Sequence, residues 1–74
     1  MTRLPAIKPR DMIRVLKKAG FRIDRQSGSH VILEKPGHPL IITVPYHAMD
    51  LKKGTLKAIL KQAGLDVSDM LSLM

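Results

Sequence analysis

Two amphipathic, glycine-terminated segments enclose three short β-prone runs, and this order narrows what a chain of 74 residues can fold into. The first segment begins at Pro9, a residue tolerated in a first helical turn, and ends at Ala19, with Gly20 as a left-handed stop. On a helical wheel Met12, Val15, Leu16 and Ala19 share one arc with Ile13 at its edge; Arg10, Arg14, Lys17 and Lys18 fill the other. The second segment repeats the design, with Leu56, Ile59, Leu60 and Ala63 on one face, Lys57 and Lys61 flanking it, and Gly64 at its end. Asp50 is a candidate N-cap for it. Between the helices, Phe21–Gln26, His30–Lys35 and Leu40–Val44 read as strands. Ser27-Gly28-Ser29 and Pro36-Gly37-His38-Pro39 are short enough to join them as antiparallel hairpins, and Pro45, which cannot donate to a ladder, closes the third. The expected architecture is α+β in the order α-β-β-β-α, a three-stranded antiparallel sheet with both helices on one face. A last helical turn after Ser68 is allowed.

The length permits one domain, expected over 1–74 with its core at about 8–70. A chain this short buries only about 60% of the surface it exposes when unfolded, so its margin of stability is thin. With no cysteine it has neither a disulfide framework nor a thiolate metal site, and a reducing, cytoplasmic compartment is expected. Met1 to Lys8 lack an apolar stretch of signal-peptide length, and no window approaches the roughly 20 apolar residues of a membrane span.

The strands carry an imbalance. The first alternates, with Phe21 and Ile23 on one side and Arg22 and Asp24 on the other, whereas Val31-Ile32-Leu33 and Leu40-Ile41-Ile42-Thr43-Val44 are apolar on both faces. A sheet with helices on one side normally shows water a polar second face. Either the tail Val67–Met74, through Met70, Leu71 and Leu73, folds over that face, or a partner covers it.

The formal charge of +7 favours an anionic partner: nucleic acid, an anionic membrane surface or an acidic protein. It is concentrated, with +4 in residues 8–18 and +4 in 52–61, while 19–51 are balanced, 65–74 carry −2 and Arg3 adds the remaining charge. An α-β-β-β-α order with two basic helices resembles the double-stranded-RNA-binding fold, in which the first helix and the start of the second touch RNA across its grooves. Lys52-Lys53 and Lys57 stand where that fold places phosphate-contacting lysines, at a helix start that itself favours phosphate. Arg14 and Lys17 on the first helix would steer RNA together, although Lys17, Lys18 and Lys61, each taken singly, read as solvated. Phe21 and Tyr46, the only aromatic rings apart from histidine, are too few for a base-stacking platform.

Gly28-Ser29-His30 is the candidate reactive site. A Gly-Ser bend lets backbone and ring approach a phosphate closely. RNA carries its own nucleophile in the 2′-hydroxyl, so a protein that cuts it needs little more than a proton-transfer group and cations on the phosphate. His47, after Val44-Pro45-Tyr46, can donate a proton or hold its loop by a hydrogen bond; the structural role is favoured. His38, inside its turn, is read as exposed and passive. The histidines stand eight and nine residues apart, a spacing with no metal-site precedent, and a metal-free mechanism without cofactor follows. From these residues alone, a non-catalytic RNA-binding module, or a protein-interaction domain for an acidic partner, remains open beside a nuclease.

Several stretches together resemble one family, the small HicA-type toxins: Leu16-Lys17-Lys18-Ala19-Gly20-Phe21, Gly28-Ser29-His30, Thr43-Val44-Pro45-Tyr46-His47, and Lys53-Gly54-Thr55-Leu56 with Ile59-Leu60-Lys61-Gln62-Ala63-Gly64. They run in family order over about residues 8–70. The resemblance implies a double-stranded-RNA-binding-like fold, endoribonuclease activity on mRNA, and a HicB-type antitoxin that masks the site. It implies a monomer when free and a hetero-oligomer with the antitoxin, which would bury the outer face of the second and third strands. The family's catalytic histidine falls on His30, with Gly28 and Ser29 beside it. Its second histidine falls on His47, in a supporting role. Many relatives place a polar or aromatic residue after the catalytic histidine, where this chain has Val31-Ile32-Leu33.

Overall fold

The computed structural model describes residues 4–74; Met1 to Arg3, with the last charge of the tally, lie outside the described residues. The elements are α1 (Pro9–Lys18), β1 (Arg22–Ser27), β2 (His30–Glu34), β3 (Ile42–Pro45), α2 (Lys53–Ala63) and α3 (Val67–Leu73). The strands form one antiparallel sheet in the order β1-β2-β3, and α1 and α2 both pack against β3. The architecture is the α+β arrangement expected, with a seven-residue α3 where one turn was allowed.

Local chemistry accounts for the boundaries. α1 ends in a Schellman motif: Phe21 N–H donates to Leu16 C=O at 2.9 Å and Gly20 N–H to Lys17 C=O at 3.0 Å, with Gly20 at φ +102°. α2 repeats both bonds one for one, Leu65 to Leu60 and Gly64 to Lys61. Its N-cap is Lys52, not Asp50, and no side chain caps either α1 or α2. α3 starts on a full capping box, Asp69 N–H to Asp66 Oδ1 at 2.7 Å and Asp66 N–H to Asp69 Oδ2 at 3.0 Å.

The core lies between the sheet and the helices. Met12, Val15 and Leu16 of α1, Leu56, Ile59 and Leu60 of α2, and Val31, Leu33, Ile42 and Val44 of the sheet are buried together with Phe21. Met70 joins them at 0% exposure, and α3 packs against α1. The tail therefore belongs to the helix layer and leaves the second face of the sheet uncovered. That face keeps Ile32 partly exposed beside the polar Thr43, and Ile41, just before β3, is 58% exposed.

Two further expectations change. β1 is exposed along its whole length, because it is an edge strand and a bulge at Asp24 breaks its alternation: Ile23 pairs with Leu33, but Arg25 pairs with Ile32. After the bulge Arg25 and Ser27 share a face with Ile32 and His30. The third strand begins at Ile42 rather than Leu40, since its turn is held elsewhere. His38 is partly buried and not passive: its Nε2 lies 2.7 Å from Gln62 C=O in the last turn of α2, and its ring meets Phe21 edge-on at 5.1 Å. With His38 tied to the helix layer, residues 35–41 leave the ladder and rejoin it at Ile42.

Candidate active site

A two-residue turn sets the position of His30. Ser27 pairs with His30, so Gly28 and Ser29 form the whole loop, and Gly28 takes φ +59° at its first position, as a type II′ turn demands. An ideal Cβ on Gly28 would meet nothing within 4 Å, so the requirement is one of backbone conformation alone. His30 opens β2 with an exposed side chain and pairs across the other edge with Pro45. Paired residues of adjacent strands lie about 4.5–5.5 Å apart at Cα and point to the same side. Ser27, His30 and Pro45 thus make one row across three strands, on the face away from the helices. Val31 points the other way, at 4% exposure in the core, so the apolar residue after His30 serves packing and does not surround the imidazole.

The β3–α2 connection folds beside this row. Tyr46 N–H donates to Ser29 C=O, and Leu51 N–H donates to Ile7 C=O at 2.8 Å, which ties the segment before α1 to the segment before α2. Two clefts result. One, of about 330 Å³, runs from Pro45 past His47 and Asp50 to Lys52 and Thr55. The other, of about 360 Å³, is lined by Lys8, Pro9, Arg10, Tyr46, His47 and Ala48. His47 is the shared wall. It makes no hydrogen bond among the described residues, so the loop is held by backbone bonds and the structural role favoured for its ring is not what holds it.

The two clefts sort the candidate cations. Lys8 and Arg10 line one cleft with His47, and Lys52 lines the other with His47 and Pro45, the register partner of His30; Lys53 is next in sequence at the start of α2. Lys57 follows one turn into α2. Arg14 is farther along α1 and is paired with Asp11 at 3.3 Å. Lys17 stands at the opposite end, near Phe21, Lys35 and the β2–β3 turn, so it is not brought to His30. Asp50 is a carboxylate on the cleft lining, and its charge partly offsets Lys52.

Four residues were missed by sequence reasoning. Ser27 and Arg25 reach His30's face only through the bulge, which strand alternation does not reveal. Lys8 and Arg10 were counted in the charge of the first segment, yet their meeting with Tyr46 depends on the Leu51–Ile7 bond. No three His, Cys, Asp or Glu side chains gather into a metal-binding group among the described residues. No described helix is long and apolar enough to cross a membrane.

A search of curated proteins finds no match. The model of a family described as the HicA toxin of bacterial toxin-antitoxin matches residues 9–65, from the first residue of α1 to just beyond the glycine that ends α2. That span takes in the sheet, His30, Lys52, Lys53 and the lining of both clefts except Lys8, and covers more than half of the chain: the protein belongs to the HicA toxin family of bacterial toxin–antitoxin systems.

Proposed function

We propose that this toxin is a metal-independent endoribonuclease that cleaves mRNA with His30 as its catalytic proton-transfer group. The observation that carries the reading is the convergence at one end of the sheet. An exposed imidazole in the row Ser27–His30–Pro45 adjoins a cleft holding Lys52 and His47, within a chain of the HicA family.

The chemistry needs only what that end supplies. The 2′-oxygen of the RNA attacks the adjacent phosphorus as its proton passes to a base. The bond from phosphorus to the 5′-oxygen of the next nucleotide breaks, and that oxygen takes up a proton. The products are a 2′,3′-cyclic phosphate and a free 5′-hydroxyl. His30 serves as one of the two proton-transfer groups, and His47, which is exposed and makes no hydrogen bond through its ring among the described residues, serves as the other. Lys52 and Lys53, at the start of α2, stabilise charge that builds on the non-bridging oxygens. No step calls for a metal, because the nucleophile is already covalently placed beside the phosphorus. The partner is the cognate antitoxin that defines the family's systems.

The test is His30→Ala. General acid–base catalysis contributes about 10²–10⁴-fold, so the variant should lose at least about 100-fold in RNA cleavage while keeping the wild-type circular dichroism spectrum. Induction in cells should cease to arrest growth. Wild-type cleavage by a folded His30→Ala protein, free of contaminating nuclease, would overturn the assignment; inhibition of the wild type by EDTA would overturn its metal independence.

A further inference from the structure

Apart from His47, which it shares with the cleft that holds Lys52, the cleft lined by Lys8, Pro9, Arg10, Tyr46, His47 and Ala48 is not used by the proton transfers above. It has the parts of a nucleotide pocket. Tyr46 is 45% exposed, whereas Phe21 is buried at 3%, so among the described residues Tyr46 is the one phenyl-type ring offered to solvent. Lys8 and Arg10 are exposed, and among the described residues neither is paired with a carboxylate. A π-face beside two unpaired cations suits a base and the phosphate that follows it.

The position of the cleft decides which nucleotide it can serve. His47 forms a wall of this cleft and of the cleft that holds Lys52. Tyr46 follows Pro45, the register partner of His30, and its N–H is bonded to the carbonyl of Ser29. A strand whose scissile phosphate lies at His30 and Lys52 therefore has a neighbouring nucleotide at Tyr46. One aromatic ring is too little for a platform that tracks a long single strand, but it is enough for a single base.

We propose that this cleft is a subsite for one unpaired nucleotide flanking the scissile phosphate, in which Tyr46 stacks on the base and Lys8 and Arg10 hold its phosphate. The subsite rests on the reading of the protein as a ribonuclease, and it adds a requirement: the nucleotide beside the cut must be out of a duplex. RNA paired at that position should be bound through the lysines of α2 without engaging Tyr46.

The experiment measures fluorescence anisotropy of a labelled, uncleavable 2′-O-methyl adenosine hexamer on the full chain. Stacking on one aromatic ring corresponds to roughly 5- to 150-fold in affinity, so Tyr46→Ala should bind at least about fivefold more weakly and Tyr46→Phe within about twofold of wild type. Arg10→Ala should lower the salt dependence of binding by close to one single-strand phosphate contact, a slope change of about 0.7. A fully abasic hexamer should erase the difference between Tyr46→Ala and wild type. Equal affinity of wild type and Tyr46→Ala, or a difference that survives in the abasic hexamer, overturns the subsite. If that occurs while His30-dependent cleavage persists, the subsite alone falls. If wild type neither binds nor cleaves RNA, the nuclease reading falls with it.

Discussion

Replacing His38 by alanine should destabilise the fold and leave the chemistry alone. The ring nitrogen Nε2 lies 2.7 Å from Gln62 C=O, a carbonyl in the last turn of α2 that has no intrahelical partner, and a hydrogen bond of this kind contributes about 1 kcal/mol. Gln62 is exposed, so water can replace the donor and the loss stays near that value rather than above it. The edge-on contact with Phe21, at 5.1 Å and 74°, adds about 0.5–1.5 kcal/mol, giving roughly 2 kcal/mol together. In a domain of this size each kcal/mol moves the midpoint by about 4–8 °C, so Tm should fall by roughly 8–16 °C. His38→Phe keeps a ring without the donor and should recover about half of the loss. Thermal unfolding followed by far-ultraviolet circular dichroism measures both variants. Cleavage, assayed well below the lowered Tm, should remain within about twofold of wild type, because the β2–β3 turn lies at the end of the sheet opposite His30. A shift under about 3 °C for His38→Ala would refute the anchoring role.

Two other expectations follow from the placement of charge and of α3. Replacing Lys52 and Lys53 together by glutamine should weaken binding of the 2′-O-methyl hexamer about equally across base sequences and flatten its salt dependence, both read by anisotropy. A sequence-selective loss would show instead that these lysines read bases. Met70→Ala should cost about 2–5 kcal/mol, as for other fully buried methionines, because its side chain is at 0% exposure in the shared core. Urea denaturation measures this, and a cost under 1 kcal/mol would mean that α3 is an appendage.

What the sequence made legible was set by local rules. Pro9 and Gly20 bracket α1, Gly64 stops α2, and the apolar arcs of both helices face the core, because capping and helical periodicity act over a few residues. The position of His30 at the start of β2 was legible for the same reason, since the Gly28-Ser29 turn that precedes it is local. The misreadings arose where long-range contacts decide. His38 looks like a loop residue until Gln62, twenty-four positions away, takes its ring nitrogen. Asp50 looks like a cap, yet the Leu51–Ile7 bond holds the chain so that α2 begins after Lys52. The tail's apolar residues fit either face of the sheet on paper; the capping box on Asp66 and Asp69 starts α3 immediately after α2, and Met70 enters the core on the helix side.

The consequence is a molecule whose two ends do different work. At one end, ring contacts and backbone bonds close the fold: His38 against Phe21 and Gln62, the Lys35 ammonium 5.5 Å from the Phe21 ring, and two Schellman motifs. At the other, Lys8, Arg10, Lys52 and Lys53 collect at two helix starts that carry partial positive charge and lack a side-chain cap. Like charges gathered there oppose folding, and Asp11 and Asp50 offset them only in part. A domain this small retains such an arrangement at a cost to its own stability, and a bound polyanion relieves that cost. Stability is therefore supplied from the end opposite His30, and the end bearing His30 is left open to an anionic partner.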